Sequence, residues 1–224
     1  MRISIIIPVL NEAEVLATHL KKLQSVRAQG HEIIVVDGGS EDKSRCFAEP
    51  QVDHLLMSKR GRALQMNKGA EVASGDVFLF LHIDTLLPDD GIAAIINNIN
   101  FDQDVWGRFD VRLSGSRKLF RAIETMMNWR SRISGIATGD QAIFITRHLF
   151  QRIHGFADIP LMEDVEICRR LKKIHPPVCL SQRVITSSRR WELGGIFKTI
   201  WLMWRLRLAY WLGVDPATLA RQYR

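Results

Sequence analysis

The sequence predicts an α/β fold built on a doubly wound sheet, and three observations carry that prediction. Through the first hundred positions, short apolar runs of strand length alternate with segments whose apolar residues recur at helical spacing. The run 77–81 is apolar throughout, as a strand buried on both faces of a parallel sheet must be. Acidic residues stand where such runs end, and an open α/β sheet collects its ligand outside the carboxyl ends of its strands. With 224 residues the chain can bury a real core as one large domain, alone or with an appendage.

Taken in order, residues 3–9 read as a buried strand stopped by Pro8 and by Asn11, an N-cap candidate with Glu12 and Glu14 in the first turn of the next helix. Val15, Leu16, Leu20, Leu23 and Val26 supply that helix's apolar face. Residues 32–36 form a second strand ending in Asp37-Gly38-Gly39-Ser40; 41–48 read as a helix and 52–57 as a short third strand. The basic loop Lys59-Arg60-Gly61-Arg62 precedes a helix over 63–73, the strand 77–81 follows, and a helix runs over 89–99. Beyond that the pattern is less regular: an outer strand over 105–113, a helix over 117–132, a loop and strand over 138–146, a helix over 161–173, and one or two strands over 178–188. From 193 to 212 the chain is apolar and rich in tryptophan.

The net charge of +7 points to an acidic partner: nucleic acid, anionic lipid or a phosphorylated small molecule. Cys46, Cys168 and Cys179 have no C-x-x-C spacing and read as reduced cysteines of a cytoplasmic protein. The opening apolar run is too short for a signal peptide and leads into a helical pattern.

The strand 77–81 leads into His82-Ile83-Asp84. Two residues apart on a strand, the imidazole and the carboxylate point to the same side; a plain strand cap before Pro88 is the alternative. Glu12, Asp37, Asp84 and the Glu163-Asp164 pair all fall at ends of elements, beside Lys59, Arg60 and Arg62. A carboxylate does not bind phosphate directly, but it holds a divalent cation such as Mg²⁺ or Mn²⁺ that does. Asp37 suits a ribose or base, with Gly38-Gly39 allowing close backbone approach, although it could equally cap a helix.

These residues resemble a known family. Ile5-Ile6-Ile7-Pro8-Val9-Leu10-Asn11-Glu12, Ile34-Val35-Val36-Asp37-Gly38-Gly39-Ser40-Glu41-Asp42, Gly61-Arg62-Ala63-x-x-x-Asn67-x-Gly69, Gly75-Asp76 through Asp84, Gly155-Phe156 and Glu163-Asp164 occur in the order found in family 2 glycosyltransferases. The resemblance covers roughly residues 3 to 170. It implies a single Rossmann-like GT-A domain with a mixed, mostly parallel sheet flanked by helices. It also implies a nucleoside-diphosphate sugar donor, a divalent cation and an inverting transfer to an acceptor hydroxyl. Arg60-Gly61-Arg62-x-x-Gln65-Met66-Asn67 and Gly139-Asp140-Gln141-Ala142 are similar to a bacterial subgroup named for its association with radical-SAM and selenium-related proteins.

Carried over by position, the resemblance places Pro8, Asn11, Glu12, Asp37, Gly61, Arg62, Asn67 and His82 on the donor and Asp84 on the metal. It makes Asp164 the catalytic base and puts Gly139, Asp140, Gln141 and Glu163 on the acceptor side. The family's Asp-x-Asp signature stands here as His82-Ile83-Asp84, with the second acid kept and the first replaced. Arg189-Arg190-Trp191 only weakly matches the Gln-x-x-Arg-Trp motif of processive synthases, since Ile185 and Thr186 stand where the Gln belongs.

Residues 1–190 thus read as the catalytic domain, with a donor half to about 100 and an acceptor half beyond, and 191–224 as an amphipathic helical tail. Lys198, Arg205 and Arg207 interrupt the tail's apolar run and make a bilayer crossing costly. An interfacial helix at the inner face of the membrane, a homodimer contact, and packing on the catalytic domain remain open. Arg189, Arg190, Arg221 and Arg224 add to the tail's charge. Among rival functions, nucleic-acid binding would want basic and aromatic residues over the sheet, where acids stand instead. A sugar nucleotidyltransferase would carry a glycine-rich loop after the first strand, and Val9-Leu10-Asn11-Glu12 has no glycine. A catalytically idle membrane scaffold is the third.

Overall fold

The computed structural model describes residues 1–99 and 103–223; Arg224, counted above with the tail's charge, lies outside the described residues. Four parallel strands open the fold: β1 (Ile3–Val9), β2 (Glu32–Asp37), β3 (His54–Met57) and β4 (Val77–Phe80), in spatial order β3-β2-β1-β4. They are linked by α1 (Ala13–Ala28), α2 (Ser44–Ala48) and α3 (Arg62–Val72), and α4 (Gly91–Asn97) follows. The alternation of β1 feeds two cores. Ile3, Ile5, Ile7 and Val9 pack with Leu16 and Leu20 of α1, whereas Ile6 packs with Ala63 and Met66 of α3.

Pro8 lies inside β1 and does not end it. The pairing of β1 with β4 stops at Ile6, so the N–H that proline lacks has no strand to meet on that side. Asn11 is not the N-cap of α1 either; that position is Glu12. Asn11 takes a left-handed φ of 55°, a conformation asparagine tolerates, and its Oδ1 accepts the Glu41 N–H at 2.9 Å. The second helix starts at Ser44, later than its pattern suggests, because Asp42 accepts the N–H groups of Ser44 (2.9 Å) and Ala13 (3.0 Å).

The second half adds β5 (Thr85–Leu86), β6 (Trp106–Leu113), β7 (Ile143–Thr146) and β8 (Val178–Thr186), and the sheet reads β3-β2-β1-β4-β7-β6-β8-β5. β7 runs antiparallel to both neighbours, while β6 and β8 are parallel. The outer strand expected over 105–113 is therefore an interior one. Its charges are accommodated inside the fold: Arg108 is buried and ion-paired with Asp110, which also accepts from Arg132 at 2.8 Å. The helices are α5 (Lys118–Ser134), α6 (Arg147–Arg152), which had no sequence signal, and α7 (Glu163–Leu171), delayed by the left-handed φ of Met162.

The C-terminal region consists of three helices: α8 (Arg189–Gly194), α9 (Ile196–Trp211) and α10 (Pro216–Tyr223). Leu206 of α9 and Leu219 of α10 are buried against Leu161 and Met162, just before α7. Among the described residues no helix is long and apolar enough to cross a membrane.

Candidate active site

The parallel strand ends open into a cleft of about 480 Å³. Its walls come from the end of β1 (Pro8), from Glu12, from the start of α3 (Gly61, Arg62), from the turn after β4 (His82, Asp84), from loop 158–161 with Glu163, and from α10 (Tyr223). Gln65 fixes α3 over the strand ends, its Nε2 donating to the carbonyls of Val9 and Val36, both at 2.8 Å. The motif Arg60-Gly61-Arg62-x-x-Gln65-Met66-Asn67 contains this residue but gives it no site role, and its work is done on backbone groups.

β4 ends at Phe80, so His82 and Asp84 stand in a turn instead of on the strand. Ile83 between them is buried, and the two flanking side chains come to the same cleft. Both residues line the cleft although neither lies on the strand. His82 Nδ1 lies 3.6 Å from an Asp140 oxygen. Gly139 backs onto the imidazole so closely that a Cβ there would lie 2.4 Å from its Cε1 and Nε2.

Charge is dense around the cleft. Burial raises the Glu12 pKa and Asp84 adds to the rise, against Arg189 at 4.0 Å. Burial also raises Glu163, with Asp164 reinforcing the shift and Arg62 opposing it. For Arg62, burial pulls down, but Glu163, Tyr223, Asp140 and Asp164 more than offset it and hold the guanidinium charged. Burial pushes Asp140 up, yet His82, Arg62 and Arg207 together bring it below the usual carboxylate range. Asp164 sits at the start of α7, its Oδ2 accepting the Gly139 N–H at 3.0 Å and its Oδ1 the Val165 N–H at 2.7 Å. The helix start favours both acids electrostatically.

Other expected site residues are placed elsewhere. Asn67 does not line the cleft: it donates to the Phe156 carbonyl (2.8 Å) and accepts the Phe156 N–H (2.9 Å), latching α3 to the Gly155-Phe156 turn. Gln141 is buried, with Nε2 bonded to Ser131 Oγ at 3.0 Å and the side chain closing a capping box with Thr138. Asn11 bonds the loop after β2 as described. Asp37 is buried at the end of β2; its Oδ2 accepts from Gly39 (3.1 Å) and Ser40 (2.9 Å), while its Oδ1 is buried without a partner among the described residues. An orphaned buried carboxylate oxygen fits a ligand hydroxyl. Tyr223 was missed altogether. It comes to the cleft from far along the chain, with Arg190 stacked 3.8 Å from its ring centre.

Among the described residues, no three His, Cys, Asp or Glu side chains converge as a preformed metal group. The donor set still fits a hard divalent cation of the kind that binds through one or two carboxylates plus substrate phosphates. Asp84 is half-buried on the cleft, and among the described residues its only side-chain hydrogen bond is a weak one of 3.4 Å from Thr85.

The architecture is thus a mixed sheet with an acid-lined cleft outside its parallel strand ends. The sequence profile described as Glycosyl transferase family 2 matches residues 4–157, and the chain belongs to that family. It is similar to an undecaprenyl-phosphate 4-deoxy-4-formamido-L-arabinose transferase of Klebsiella pneumoniae, 28% identical over 208 residues, covering 84% of this chain and 62% of that one. The Yersinia enterocolitica protein of the same name is 29% identical over 166 residues, with 67% and 50% covered. The chain thus spans about half to three-fifths of these relatives' length. In fold it is similar to TarS of S. aureus (TM-score 0.65, 18% identity, 84% of this chain and 61% of that one). It is also similar to a mannosyltransferase from Pyrobaculum calidifontis in complex with GDP-Man and Mn²⁺ (TM-score 0.63, 20% identity, 92% and 60%).

Proposed function

We propose that this glycosyltransferase moves a sugar from a nucleoside-diphosphate donor to an acceptor hydroxyl with inversion at the anomeric carbon. The observation that carries this reading is the meeting of Asp84, Arg62 and Glu163 around one cleft, with Asp164 just behind Glu163 and near enough for its charge to act on Arg62. Residues 1–190 serve as the catalytic unit and 191–224 as its tail. Asp37 takes a ribose or base hydrogen bond on its free oxygen, Arg62 faces the diphosphate, and Asp84 holds Mn²⁺ or Mg²⁺. When bound, that cation supplies positive charge to the departing diphosphate. Asp164 accepts the hydroxyl proton as the new C–O bond forms and the bond to the diphosphate breaks; such a base contributes about 10²–10⁴-fold. The names of the relatives and the GDP-Man complex of the structural neighbour support a nucleotide-sugar donor. The protein works in the cytoplasm, at the inner face of the membrane, without nucleic acid.

A second reading makes Glu163 the base, because it, and not its neighbour, lines the cleft with a raised pKa.

Thermal denaturation with a panel of UDP- and GDP-sugars, with and without Mn²⁺, tests the donor assignment. A donor at 100 times its Kd stabilises by about 2.7 kcal/mol, which for a chain of this size is a Tm rise of roughly 5–11 °C. The rise should require Mn²⁺ and should vanish in Asp84→Asn, whose unliganded Tm stays unchanged. A metal-independent rise of equal size in both proteins overturns the role given to Asp84.

A further inference from the structure

α9 is apolar on two sides. Its inner side is used in the fold, where Leu206 is buried beside Leu161 and Met162. Its outer side carries Phe197, Trp201, Trp204, Leu208 and Trp211, each more than half exposed. At about 100° per residue these five fall within roughly 80° of arc. Arg205 follows on one flank and Arg207 on the other, each about 40° away. α5 repeats the arrangement. Leu119, Met126, Trp129 and Ile133 are exposed at helical spacing, and Trp129 and Ile133 are two-thirds exposed. The two helices are joined, since Phe120 and Ile123 of α5 cluster with Ile196 of α9, and Arg130 and Arg207 lie near enough for their charges to interact.

The charge on both helices has one sign. α9 contains Lys198, Arg205 and Arg207 and no acid. The only acid of α5, Glu124, is buried and accepts the Leu113 N–H at 2.6 Å. Tryptophan and leucine stripes edged by cations match the boundary between acyl chains and anionic headgroups. A second copy of this chain is a poorer occupant: a two-fold contact sets the same surface against itself, bringing like charges together. Nor does α9 cross a bilayer. Its 16 residues span about 24 Å against about 30 Å of hydrocarbon.

We propose that α5 and α9 together form a docking face for an anionic phospholipid bilayer, and that this face sets the acceptor side of the cleft at the lipid surface. Leu161, Met162 and Val165, which pack under α9, bracket Glu163 and Asp164 in sequence. With α9 lying in the interface, those carboxylates stand about one helix diameter, ~10 Å, from the headgroups. The acceptor then belongs to the class of hydroxyls carried by lipids or held at a membrane surface. This acceptor assignment rests on the glycosyltransferase reading; the docking itself does not.

Co-sedimentation of the full chain with phosphatidylcholine vesicles, with and without one-third phosphatidylglycerol, tests the docking. Binding should appear with the anionic vesicles and fall steeply with salt. Trp129→Glu/Trp204→Glu should lower partitioning at least tenfold, and Lys198→Glu/Arg205→Glu should lower it by more than about 25-fold, each basic residue at the surface contributing about fivefold. These positions are exposed, and Tm with the Mn²⁺-dependent donor response is measured on the same preparations to verify folding. Equal binding to neutral vesicles, unchanged binding by both variants, or a dimer that dissociates in the tryptophan variant without lipid binding overturns the proposal. If the donor response is missing while the anionic vesicles still bind, the glycosyltransferase reading fails and the docking face stands.

Discussion

Replacing Asp164 by asparagine separates its structural work from its chemistry. In the native protein each carboxylate oxygen accepts one backbone N–H, Gly139 on Oδ2 and Val165 on Oδ1. Asparagine keeps one acceptor. Whichever way the amide turns, one of those N–H groups faces an NH₂ instead. At a half-buried position that costs about 1–2 kcal/mol, a Tm drop of roughly 2–8 °C. The chemical loss is larger: without the base, turnover falls about 10²–10⁴-fold, or roughly 2.7–5.4 kcal/mol of barrier. Glu163→Gln removes an ionisation that burial and Asp164 already oppose, so its Tm should hold or rise at neutral pH. Single-turnover release of nucleoside diphosphate at saturating donor, with calorimetric donor Kd, reads both variants. Asp164→Asn should bind donor normally and lose turnover, while Glu163→Gln stays within about threefold of wild type in turnover. The reverse pattern would refute the assignment and move the base to Glu163. Retention of the donor's anomeric configuration in the product would refute inversion.

Two further perturbations test the cleft and, at the opposite end of the strands, the sheet that supports it. Gly139→Ala puts a Cβ 2.4 Å from two His82 ring atoms, so either the imidazole or the N–H that Asp164 accepts must move. kcat/KM should fall at least about tenfold, since a shift near 1 Å can cost 10²-fold, and an unchanged value would show that His82 yields freely. Glu32 is buried, and although burial pushes its pKa up, hydrogen bonds from Ser4 and Ser74 bring it below the usual value. Its stabilisation is therefore full above the unfolded-state pKa and is lost as pH falls through the lower folded value. Glu32→Ala should lower Tm by roughly 6–12 °C at pH 7, on a cost of about 3 kcal/mol. The gap from wild type should close on acidification; a pH-independent gap would contradict the linkage.

The first four strands were legible because each is short, apolar and followed by a helical repeat, so local pattern and sheet order agree. The interior place of β6 is not legible in its sequence, because Arg108 and Asp110 are charged and only in the fold do they neutralise each other. The positions of Glu12, Arg62, His82, Asp84 and Glu163 at one cleft follow from strand ends, which sequence marks well. Asn67 and Gln141 were misread for a common reason. Both sit inside motifs, yet their amides satisfy groups within the scaffold, and a sequence does not distinguish an amide that meets a ligand from one that meets a carbonyl. Gln65, Tyr223 and the Arg130–Arg207 proximity depend on contacts between segments distant in sequence, and no periodicity carries that information.

The course of the cleft wall, from Pro8 to Tyr223, sets an order on biogenesis. β1 to β4 pair with one another within the first 80 residues, so the parallel part of the sheet can form while later residues are still being made. The remaining wall waits: Thr85 of β5 pairs with Thr186 of β8, and α10 packs on Leu161 and Met162 only after Leu219 has emerged. A nascent chain halted between those points exposes a parallel sheet and the apolar faces meant to cover it, the kind of intermediate that aggregates. The wall of the cleft is therefore complete only once the segment that carries α9 and α10 has been made.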